Sequence, residues 1–241
     1  MTNRPFTLVE LLTVTIIMTV IVGATVPAYN RIMTGNAVSY GNRMITSQLN
    51  MARTRACQKR RAVAVLFPDT DLAPYYSESL ADPVALRTFR CAYVKKNGAD
   101  WEFQEWVEGT QWQYLPKGAF FPVASAVQAE VQDATHGMLP SAVVKGVYDG
   151  TKDPSVPGQE QSEQDKKELL FGGKHDFNLA IIFQPNGRPV VDAASPRVQV
   201  REGVVVENED SASMVHKANV DNGLYARVNR YTGAVVTREL D

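Results

Sequence analysis

Few residues in this 241-residue chain are placed to do chemistry, and the most telling of them is Glu10. It is the one charged side chain in the apolar run Phe6–Val26, which Pro27 follows. An acid at the centre of a bilayer costs roughly 2.5–3.5 kcal/mol, so Glu10 asks for a cationic partner. No basic residue lies between Arg4 and Arg31. A cut before Phe6 would create one, because the new α-amino group is a cation. An acid and an amine on each subunit suit helices that assemble with copies of themselves.

The other chemically capable residues form no constellation. His136, His175 and His216 are scattered, and none sits in a metal-ligand spacing such as His-Glu-x-x-His. There is no phosphate-cradling Gly-rich Lys motif and no Gly-x-Ser-x-Gly elbow. Asp69-Thr70-Asp71 and Asp221-Asn222-Gly223 are too short for a calcium loop. The expectation is a protein without enzymatic activity, cofactor or metal. Cys57 and Cys91 would be permitted to form a disulfide in an oxidising compartment, with two buried free thiols as the favoured alternative. Arg53, Arg55, Lys59, Arg60 and Arg61 form a candidate nucleic-acid patch, but cations here also complement a helix C-terminus. With 25 basic and 26 acidic residues, no global field points to nucleic acid, which is not expected as a partner.

The element that must position Glu10 is a helix. Its 21 residues, Phe6–Val26, rise roughly 30 Å, about the hydrocarbon thickness of a bilayer. The expected organisation is a transmembrane helix over 6–27, with Pro27 weakening the helix locally. Three alternatives stay open: a signal peptide cleaved near Gly23-Ala24-Thr25, a plain anchor, and a buried soluble helix. Over 28–60 the pattern predicts an amphipathic continuation. Tyr29, Ile32, Met33, Val38, Tyr40, Met44, Ile45, Leu49, Met51 and Ala52 recur at three- and four-residue steps. Arg31, Asn42, Arg43, Gln48, Asn50 and Arg53 fill the gaps, with Gly35 and Gly41 as weak points.

Beyond residue 61 the pattern turns to β. Ala62–Phe67, Phe89–Val94, Trp101–Val107, Trp112–Leu115, Phe177–Phe183, Pro189–Val191 and Gln199–Val206 read as strands, and Tyr225–Arg238 as a hairpin turning near Thr232-Gly233. Asn97-Gly98 predicts a tight hairpin. Trp101, Trp106 and Trp112 are expected to pack in a sheet. Residues 68–83 read as an exposed loop. The region near 122–170 reads as a loop insertion, with a short helix at Ser125–Val131 and a polar stretch over 146–164.

Phe6-Thr7-Leu8-Val9-Glu10-Leu11-Leu12 resembles the N-terminal segment of type IV pilins and type II secretion pseudopilins. The resemblance implies a leader over 1–5, cleavage between Pro5 and Phe6 by a prepilin peptidase, and methylation of Phe6. It also implies an assembly role for Glu10 and a helix kink at Pro27. Pro5 stands where the family carries Gly. Met51–Ala56 leading into Ala62–Phe67, the Phe183–Gly187 turn and the closing hairpin are similar to H-type minor pseudopilins. The implied fold class is α+β and pilin-like, a long N-terminal helix (transmembrane in its first half) packed on an antiparallel sheet. The implied location is the inner membrane, single-pass, with 61–241 extracytoplasmic in the periplasm. The implied partners are other pilin or pseudopilin subunits, the peptidase and a secreted substrate, in a filament that aids protein secretion. The alternatives are a minor pilin for pilus assembly or DNA uptake, and an unassembled anchored domain.

Overall fold

The computed structural model describes residues 8–68, 86–122, 142–148, 174–191, 195–208 and 211–239, and within these leaves aside the side chains of 22–35 and 204–222. Among the described residues one helix, α1 (Leu8–Lys59), precedes ten strands. These are β1 (Ala62–Phe67), β2 (Thr88–Asn97), β3 (Asp100–Trp106), β4 (Gln113–Tyr114), β5 (Ala119–Phe120), β6 (Ala142–Tyr148), β7 (Lys174–Phe183), β8 (Arg197–Asn208), β9 (Ser211–Val228) and β10 (Val235–Glu239).

Five strands close on themselves. The order β1-β7-β6-β3-β2 returns to β1 through a β1–β2 pairing, which makes a barrel with β4 attached to β2. All its pairings are antiparallel except β3–β6, where Trp101 and Glu102 face Val144 and Lys145. The β2–β3 turn is tight: Asn97 pairs with Asp100 across Gly98 and Ala99, and Gly98 has φ +61°. Positive φ at only the first central residue marks a II′ turn, whose twist matches that of the strands. A second sheet, in the order β10-β9-β8-β5, lies beside the barrel.

Strand β1 shows why two cores form. Its six residues are all buried, because both faces of the strand are covered. Ala62, Ala64 and Leu66 point into the barrel with Val94, Phe103, Phe177 and Ile182. Val63, Val65 and Phe67 point outward to a second core shared with Ile45, Leu49, Phe89 and Val198. Helix α1 packs there against β1, β5, β7, β8, β9 and β10. Gly41 permits the approach: a Cβ on it would stand 3.1 Å from Leu115 Cδ2 and 3.3 Å from Val200 Cγ1.

The expected fold class is corrected. Strand residues outnumber helical ones among those described, and the domain is built on a closed five-strand barrel containing a parallel pair, not on one antiparallel sheet laid against a helix. The region near 122–170 is not wholly an insertion, since β6 lies within it and bridges β3 to β7. The expected helix at Ser125–Val131 and most of the expected loops over 68–83 and 146–164 lie outside the described residues.

The membrane expectations are corrected as well. Among the described residues no helix is long and apolar enough to cross a membrane. The transmembrane assignment of 6–27 and the single-pass inner-membrane location therefore do not stand. The leader 1–5 lies outside the described residues.

Candidate assembly surface

The first turns of α1 form an arm. Ten large apolar side chains between Leu8 and Ile21 are exposed, from 47% at Val14 to 81% at Leu8. Successive residues of a helix turn by about 100°, so these ten cover its whole circumference. A soluble helix ordinarily confines such residues to one stripe. The polar atoms of the arm are turned inward. Thr13 Oγ1 donates to the Val9 carbonyl, Thr15 Oγ1 to Leu12 and Thr19 Oγ1 to Thr15, each at 2.8 Å. The threonines therefore add little polarity to the surface, and Glu10 is its one ionisable group. Glu10 is exposed in the first turn, where the helix dipole favours an acid. Pro5 and Phe6, the expected cleavage and methylation residues, lie outside the described residues. Helix α1 runs through Pro27, whose side chain is outside the description, as is any bend there.

The other end of α1 is a joint. Lys59 sits in its last turn, and Arg60 follows at φ 52° in the left-handed conformation that ends many helices. Two turns meet the helix one turn earlier. Gly187 (φ +76°), after β7, and Gly233 (φ +70°), before β10, both lie against Arg53, and Gly187 also lies against Cys57. A Cβ on Gly187 would stand 2.8 Å from Cys57 Sγ, and one on Gly233 would run into the Gly187 carbonyl. Barrel, second sheet and helix thus touch at one place.

This joint disperses the expected basic patch. Arg53 is half-buried under the two turns, and among the described residues its buried Nε has no hydrogen-bond partner. Arg61 pairs with Glu105 and lies over the Tyr93 ring at 4.2 Å. Arg55 is half-buried, while Lys59 and Arg60 are exposed. The antiparallel register of β1 on β2, starting at Ala62↔Val94, brings Lys95 and Lys96 toward this end, which sequence spacing alone did not show. Glu102 faces Lys95 from β3 and dilutes the charge.

Cys57 and Cys91 are both free: Cys57 is exposed and Cys91 buried. Burial pushes the Cys91 thiol up to about 12, against the opposing pull of the Gln48 hydrogen bond and the nearby Arg90 charge. Gln48 Nε2 donates to Cys91 Sγ at 3.2 Å. Gln48 and Asn42, which fill gaps between the apolar positions of α1, are both buried. The helix is covered by strands of both sheets over a wider arc than its apolar stripe.

The tryptophans pack rather than present a platform. Trp101 is buried, Trp106 meets Phe103 and Trp112 edge-on, and Trp112 stacks on Phe177 at 6.2 Å. Trp106 Nε1 donates to the Tyr148 carbonyl at 3.1 Å, and Arg90 covers its ring at 4.1 Å. Among the described residues, no three His, Cys, Asp or Glu side chains group as a metal site would require. No family model, curated protein or solved structure matches this chain, so no relative supports the pseudopilin and type II secretion assignments.

Proposed function

We propose that this chain is a self-assembling subunit whose apolar N-terminal arm packs against the arms of other copies in a filament. The observation that carries the reading is the arm itself, apolar and exposed around its whole circumference from Leu8 to Ile21. Resemblance of the Phe6–Leu12 segment to pilins points the same way. Magnitudes favour association. Burying the exposed part of these ten side chains, about three fifths of each, is worth about 9–18 kcal/mol at roughly 1.5–3 kcal/mol for a whole side chain. That is of the same size as an association cost of about 4–15 kcal/mol plus a few kcal/mol for burying one acid, so contacts to more than one neighbouring arm favour assembly. Glu10 then sets which partner is accepted, since an acid inside a bundle requires a matching donor or cation.

Sedimentation of the full chain after detergent removal tests this. The parent chain is expected to form large assemblies, and Ile16→Asp to remain small with an unchanged unfolding midpoint of the domain. Assembly of Ile16→Asp to the same size as the parent would remove the arm from the interface.

A further inference from the structure

β10 is the last strand of the described chain and the outer edge of the second sheet. Val235 is the only one of its five side chains that packs on the core, and the other four are exposed. Helix α1 holds the strand through polar contacts. Asn42 Nδ2 donates to Thr237 Oγ1 at 3.3 Å, and the Thr46 and Thr237 hydroxyls lie 3.2 Å apart. Asn42 is buried, and among the described residues its Oδ1 has no hydrogen-bond partner. Turning the amide over would pair Oδ1 and strand Nδ2 instead, so one buried amide atom is unsatisfied either way.

We infer that β10 is a releasable strap: it opens locally from α1 and β9 while the barrel stays closed. The closed form carries the full desolvation penalty of the orphaned Asn42 atom, and opening lets water reach it. Opening also frees the backbone of a five-residue edge strand and gives up the burial of a single valine. Strands of the barrel have no such route, because each is paired on both sides. Release exposes the edge of β9 from Leu224 to Val228, the residues that β10 covers.

Hydrogen exchange read by mass spectrometry on the full chain in non-ionic detergent tests the strap. Amides of β10 bonded to β9 are expected to exchange at least about tenfold faster than bonded amides of β1 and β2. Thr237→Val removes the one partner of the Asn42 amide and is expected to speed β10 exchange about tenfold. Asn42→Leu removes the orphan and is expected to slow it by a similar factor. Neither variant is expected to move β1 or β2. Equal protection of β10 and β1 in the parent chain would overturn the inference. So would a Thr237→Val variant that leaves β10 unchanged, or two variants that shift it in the same direction.

Discussion

Replacing Gly187 by alanine probes the joint where helix, barrel and second sheet meet. Gly187 has φ +76° in a turn whose N–H donates to the Gln184 carbonyl at 2.8 Å. An L-residue in that conformation costs roughly 1–2 kcal/mol. The new Cβ would also stand 2.8 Å from Cys57 Sγ, well inside van der Waals contact, and Arg53 closes the other side with Nε at 3.4 Å. Overpacking of this kind costs about 1–3 kcal/mol. The expected total is therefore about 3 kcal/mol, read as a lower urea midpoint at unchanged slope. Removing the sulfur separates the two causes. In a double-mutant cycle, Cys57→Ala is expected to restore about 1–2 kcal/mol to Gly187→Ala while costing little alone. A Gly187→Ala cost below about 1 kcal/mol would refute the close approach, and no recovery with Cys57→Ala would refute the assigned clash.

Two further predictions rest on α1 and its neighbours. Cys91 has a folded pKa near 12 against an ordinary 9.0, so the folded state holds its proton more tightly. Its contribution is complete below pH 9 and falls as pH rises toward 12, by about 1.4 kcal/mol for each pH unit in that window. Denaturant unfolding from pH 8 to 10.5 is expected to show this alkaline loss, and Cys91→Ala to flatten it; an equally steep loss in the variant would contradict the assignment. Gly41→Val is expected to destabilise by about 2 kcal/mol despite its better helix propensity, because Leu115 and Val200 leave no room for a side chain. A gain in melting temperature would show that the helix can move away from β8.

Local chemistry made much of the chain legible. Asn97-Gly98 announced the β2–β3 turn, and the alternating or wholly apolar runs of β1, β2, β3 and β7 marked strands, because turn geometry and pleat act over a few residues. Closure of the barrel was not legible. It depends on β1 pairing with both β2 and β7 and on the parallel β3–β6 contact, and a strand has the same pattern in an open sheet as in a closed one. β6 escaped for a second reason. Gly146, at φ +67° within a register shift against β7, reads as a loop residue, yet the valines at 143, 144 and 147 and Tyr148 were its signal. The burial of Asn42 and Gln48 was hidden because their partners, Thr237 and Cys91, are distant in sequence. At the candidate assembly surface, Glu10 and its apolar surroundings were readable directly. The dispersal of the basic cluster among Glu105, Tyr93 and the two glycine turns was not.

Cross-linking between copies tests the central claim most directly. In a Cys57→Ser background, a cysteine at Ile16 places a thiol on the arm, and one at Tyr40, exposed farther along α1, serves as the control. If arms pack against arms, oxidation of the assembled chain should link copies through residue 16 into disulfide dimers, far more efficiently than through residue 40. Equal cross-linking at the two positions, or none at residue 16, would contradict assembly through the arm.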